Sequence, residues 1–202
     1  MTRGALAGAA LCLALLLALW VPASHAESVS SLEQRAKSFY ELIERGGKQR
    51  AVELFPELER DLVAAEKRLQ DELDNLRSDV ADDDEQGTVA QQPQWKDIKV
   101  RGLLVTYHLA WVRYQGAQLV DDAHKPTLLR QAIENFSGFV GLDEIKEIAA
   151  EAEYGQGLAF MDLGDWSKAT EHLQSAAKQP KIAARAKAAL AEVKRRAAGG
   201  KP

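Results

Sequence analysis

Cysteine is nearly missing from this chain. Its 202 residues include one, Cys12, in the first apolar stretch. An intrachain disulfide is excluded, so the fold must be held by its core alone. A lipoprotein reading needs a small residue before the cysteine, and Leu11 stands there. An excess of basic charge is lacking too. Lys and Arg number 26 against 30 Asp and Glu, a net charge of −4, which argues against general nucleic-acid binding. After residue 21 no stretch is long and apolar enough to cross a bilayer. β-Branched residues are sparse and nothing alternates at period two, so strands are not expected. There is no G-x-S-x-G, no glycine-rich phosphate loop and no H-E-x-x-H. The abundant carboxylates lie on polar helix faces, where no pair stands out as acid and base. No catalytic, cofactor-binding or metal-binding residue is named, and an enzyme is not the expected class.

At the N-terminus, Arg3 precedes the apolar run Ala5 to Val21, followed by Pro22 and the small-residue pattern Ser24-His25-Ala26. This is the pattern of a secretory signal peptide cut after Ala26. An uncleaved N-terminal anchor is the alternative. Cleavage would remove Cys12 and Arg3, leaving 176 residues with 25 basic against 30 acidic side chains, a net charge of −5. A chain of that size can bury roughly 70% of its unfolded surface. The expected location is the periplasm or the exterior, with no stable membrane anchor after cleavage.

The remainder divides into an N-terminal helical hairpin over 27–81, an acidic and polar linker over 82–94, and a helical domain over 95–198. Ser30-Ser31-Leu32-Glu33 has the form of a capping box. Leu32, Ala36, Phe39 and Ile43 share one helical face, and Gly46-Gly47 ends that helix. Leu58, Leu62, Ala65, Leu69, Leu73, Leu76 and Val80 carry a long stripe that Pro56 either kinks or restarts. That near-heptad stripe could pair with a second copy or fold back on its own chain. Asp82-x-Asp84-x-Gln86-Gly87 begins like a calcium loop, but its twelfth position is Pro93 rather than a carboxylate.

Further on, Val100, Leu104, Tyr107, Trp111 and Tyr114 step by four and three, a predicted apolar face from Trp95 to Leu119. Leu129, Ala132, Ile133, Phe136 and Phe139 follow Pro126, and Asp143 can cap a helix from Glu144 to Leu163. Gly164 and Asp165 then punctuate a turn into a helix from Trp166 to Lys178. The last helix, from Lys181, buries Ile182, Ala186, Ala189, Leu190, Val193 and Ala197. His108 reads as a half-buried histidine beside Leu104 and Trp111.

Gly157, Phe160, Leu163, Gly164, Asp165, Trp166, Ala169, Leu173 and Ala176 resemble a tetratricopeptide repeat (TPR) over about 150–181. Two positions depart from the pattern: Glu153 stands for the usual Trp, and Pro180 comes one residue early. Fainter echoes occur at Gly46, Ala51 and Phe55 and at Ala132, Phe136 and Phe139. The expected fold is all-α, with antiparallel hairpins at 30–80, 95–140 and 144–178. They would stack as a short TPR-like right-handed solenoid with a C-terminal capping helix. An irregular bundle holding one repeat-like hairpin is the alternative.

The resemblance implies a groove along the first helices that takes a protein or peptide partner. Glu151, Tyr154, Leu158, Met161 and Asp162 fall on its outward positions. Arg101, Tyr107, His108, Trp111, Arg113 and Tyr114 add residue types enriched at binding hot spots, which are also ordinary core and rim residues of a helix. The candidate groove is therefore Tyr107, Trp111, Tyr114, Tyr154, Leu158 and Met161. Tyr154 and Leu158 stand where carboxylate-clamping members carry Lys and Asn. The function expected is that of an exported adaptor or scaffold in the cell envelope. A self-associating structural protein, homo-oligomeric through the long stripe, and a small-ligand binder remain as alternatives.

Overall fold

A computed structural model describes residues 28–78, 92–139 and 146–199. The signal-peptide pattern, the acidic string Asp82 to Gly87 and the Asp143 cap lie outside the described residues. Within them the chain is all-α. It forms α1 (Val29–Glu44), α2 (Lys48–Ser78), α3 (Pro93–Gly116), α4 (Lys125–Ser137), α5 (Lys146–Leu163), α6 (Trp166–Ala176) and α7 (Pro180–Ala197), with no strand among the described residues.

Two turns use the same device. Gly46 and Gly164 both have φ near +80°, a conformation open to glycine without a Cβ clash. Around Gly164, the Asp165 N–H donates to the Phe160 carbonyl and the Gly164 N–H to that of Met161. Around Gly46, the Gly47 N–H reaches Leu42 and the Gly46 N–H reaches Ile43. Each helix thus closes its last carbonyls in a Schellman motif and reverses. Asp165 then caps α6, its carboxylate accepting the Lys168 N–H at 3.2 Å. The capping box expected at Ser30 and Glu33 is not formed. α1 starts two residues earlier, Ser28 accepts the Ser31 N–H, and Glu33 pairs with Lys37 instead.

Each helix packs on the next in chain order, and α1–α3, α3–α5 and α5–α7 also touch. The first core joins Leu32, Ala36 and Phe39 of α1, Phe55, Leu58, Leu62 and Leu69 of α2, and Val105, Leu109 and Val112 of α3. The long stripe of α2 is therefore spent inside its own chain. α2 runs through Pro56 as one helix, with the proline exposed. A second core joins Ala110, Ala132, Phe136, Phe139 and Ala152, and a third joins Met161, Ala169, Leu173, Ala189 and Val193.

Sandwiching from two sides changes what α3 buries. Ile98, Val105, Leu109 and Val112 face α2, while Ala110 faces α4. Val100, expected at the head of the inward stripe, is 55% exposed. A helix with neighbours on opposite sides has two apolar faces, and a single-stripe reading merges them.

α5 and α7 keep a fixed register. Lys181 pairs with Glu147, Arg185 with Glu151 and Arg196 with Asp162, each pair 34 residues apart. Both partners advance together, so α5 and α7 run parallel, side by side. Across α3 and α5 the offset is 44, from Gln118 to Asp162. Across α1 and α3 it is 68, from Tyr40 to His108.

Candidate functional site

Small residues let the helices approach. Gly157 leaves no room for a Cβ, which would stand 2.5 Å from Leu173 Cγ. Gly155 is filled in the same way by the Phe136 ring and Gly116 by that of Phe55. These contacts hold α5 against α6 and α4, and α3 against α2, and residues of α1, α3, α5 and α7 line an open groove of about 640 Å³. α1 contributes Tyr40 and Glu44. α3 contributes Tyr107, Trp111, Tyr114 and Gln115, and the turn after it contributes Gln118. α5 contributes Glu151, Tyr154 and Leu158, and α7 contributes Arg185.

The aromatic rings are anchored from below. Trp111 meets Phe136 edge-on at 5.1 Å and Tyr114 at 5.9 Å, and lies 6.4 Å from Tyr154. Tyr107 sits edge-on to Phe139 at 5.9 Å. Tyr40 donates its hydroxyl to the His108 carbonyl at 3.1 Å and lies 3.3 Å from the His108 Nδ1. Such edge-to-face contacts hold the ring planes.

Burial raises the phenols. Tyr40 rises well above its ordinary value, chiefly by desolvation. Tyr107 is pushed up to about 12 by burial and then by the charge of Glu151. Tyr114 rises by burial and then through Asp162 and Tyr154. All three remain neutral hydroxyls at physiological pH, able to donate. His108 is 6% exposed, and burial lowers its pKa, with Glu33 pulling the other way.

Arg185 closes one end. Its guanidinium stands 4.6 Å above the Tyr154 ring and donates to both oxygens of Glu151 at 3.0 and 2.9 Å. Asp162 sits at the adjoining rim, accepting from Gln118 at 2.8 Å and from Arg196 at 3.1 Å.

Of the residues expected in the groove, Tyr107, Trp111, Tyr114, Tyr154 and Leu158 line it together. Met161 does not. It is 6% exposed and packs on Ala169, Leu173, Ala189 and Val193, because α7 covers that face of α5. Arg101 and Arg113 leave the groove for partners on α2, pairing with Glu72 and Glu59, while His108 lies beneath Tyr40. The sequence reading missed Tyr40, Glu44 and Arg185. Arg185 was within reach, since it lies 34 residues after Glu151. Tyr40 and Glu44 were not, because α2 and the residues after it break the spacing.

Glu153, the departure from the motif Trp, has a polar setting between α5 and α6. Its carboxylate lies 2.6 Å from the His172 Nδ1 and accepts from Ser175 at 3.3 Å. Among the described residues no group of three His, Cys, Asp or Glu converges as a metal site, and no helix is long and apolar enough to cross a membrane. No family model matches the chain, and no curated protein and no solved structure matches it.

Proposed function

We propose that this chain is an exported, periplasmic TPR-like adaptor that holds a segment of a partner protein in the groove along α1, α3, α5 and α7. The observation that carries the reading is the ladder of Glu147–Lys181, Glu151–Arg185 and Asp162–Arg196. Its constant step of 34 residues is the period of the TPR family. In this reading α1–α2, α3–α4 and α5–α6 are hairpins of a short right-handed solenoid, and α7 is both its cap and the next first helix in register. First helices of such arrays line the concave face, and the aromatic groove draws its residues from α1, α3, α5 and α7. Export rests on the signal-peptide pattern ending at Ala26.

Capture from an envelope extract tests the reading, with the double variant Tyr154→Glu/Leu158→Glu as control. Partners are expected on the parent and not on the variant, and equal recovery on both sinks the groove. N-terminal sequencing of the protein from the envelope fraction is expected to begin at Glu27. Self-association through the α2 stripe has less support, since Leu58, Leu62, Ala65 and Leu69 are buried within the chain.

A further inference from the structure

The groove contains an example of the chemistry it can accept. At the Tyr154 end, a carboxylate takes both terminal nitrogens of Arg185 while an aromatic face takes its charge. Those are the two elements of guanidinium recognition. The chain's own residue fills them there. At the α1 end the same elements stand without such a side chain. Glu44 is exposed and lines the groove, and its carboxylate has no hydrogen bond or ion pair among the described residues. Its neighbour Arg45 is taken by Glu41 at 3.2 Å. Glu44 also sits in the last turn of α1, one residue before the C-cap Arg45. Tyr40, Tyr107 and Trp111 supply the rings.

Carboxylates also act on the floor, each opposed by the arginine it pairs with, Arg185 or Arg196. After burial, the strongest influence on Tyr107 is the negative charge of Glu151, and on Tyr114 it is that of Asp162. An acidic segment would meet these carboxylates with no uncommitted cation to receive it, because Arg185 is held by Glu151.

We propose that the groove takes a partner segment presenting an arginine or lysine side chain, whose cation docks between Glu44 and the rings of Tyr107 and Trp111; this rests on the partner-groove reading above. An isolated cation–π contact is modest, but joined to a carboxylate in a partly desolvated groove it can favour a basic side chain over a neutral one by about tenfold.

The test is panning of a random dodecapeptide library on the purified chain. Groove binders are those that fail on Tyr154→Ala/Leu158→Ala, a pair that adds no charge to the groove. They are expected to share a basic residue, and their synthetic forms to weaken about tenfold when that residue becomes Gln. Glu44→Gln, an exposed change that leaves the fold alone, is expected to weaken the basic peptide by a similar factor and leave its Gln form unchanged. Groove binders without a shared basic residue, or a basic residue whose contribution survives Glu44→Gln, overturn this inference and leave the partner groove standing. A library that yields no binder sensitive to the Tyr154/Leu158 pair overturns both.

Discussion

Glu151 and Arg185, 34 residues apart, face each other from parallel helices through hydrogen bonds of 3.0 and 2.9 Å. Arg185 is about half exposed, its side chain at 51%, so water screens the pair. A double-mutant cycle over Glu151→Ala and Arg185→Ala, read by urea unfolding, should give a coupling of about 0.5–1 kcal/mol that shrinks in 1 M salt. A coupling of zero would make this rung of the ladder a consequence of the fold and not a support of it.

Two glycines should respond with opposite signs. Gly157→Val forces a side chain against Leu173 and should cost about 3 kcal/mol in urea unfolding. Gly102 lies inside α3, and a methyl group added there would meet nothing within 4 Å. Gly102→Ala should therefore stabilise by about 0.5–1 kcal/mol through helix propensity. If Gly157→Val left stability unchanged or raised it, the close approach of α5 to α6 would be wrong.

Phe136 is fully buried and holds the Trp111 ring edge-on. Phe136→Ala should cost about 4 kcal/mol. It should also weaken groove binders beyond what stability loss explains, measured at a temperature where the variant remains folded. Unchanged binding by such a variant would show that Trp111 is oriented by something else.

Acidification should weaken the N-terminal core through His108. Burial lowers its folded pKa below the unfolded value near 6.5, while Glu33 opposes the shift and Lys37 adds to it. Between the two values the unfolded chain binds the extra proton, so this contribution is complete above about pH 6.5 and is lost as pH falls through the folded pKa. His108→Gln should flatten the stability difference between pH 7.5 and pH 5.5, measured by urea midpoints. A pH profile identical to the parent would show that another group carries the acid sensitivity.

The helices were legible wherever one face is buried. α1, α2, α4, α6 and α7 bury most of the stripe read from their spacing, from Leu32, Ala36 and Phe39 to Ile182, Ala186 and Val193, while Ala197 at the end of α7 is exposed. α3 and α5 were harder because neighbours press on them from two sides. Hence Val100 was read as inward and Met161 as outward. The aromatic half of the groove was visible because Tyr107, Trp111 and Tyr114 are close in sequence. Of its charged residues, Glu44 was hidden, because α1 stands at no simple spacing from α3, whereas Arg185 lies 34 residues after Glu151.

The changing offsets, 34 from α5 to α7, 44 from α3 to α5 and 68 from α1 to α3, have a practical consequence. Extra length is absorbed by the long α2 and by connections such as 117–124, while the inner helices still meet along one surface. Chain length and recognition are thereby uncoupled. An epitope or fluorophore placed near the exposed Asp122 and Ala123 can report on the protein in place without touching what the groove reads.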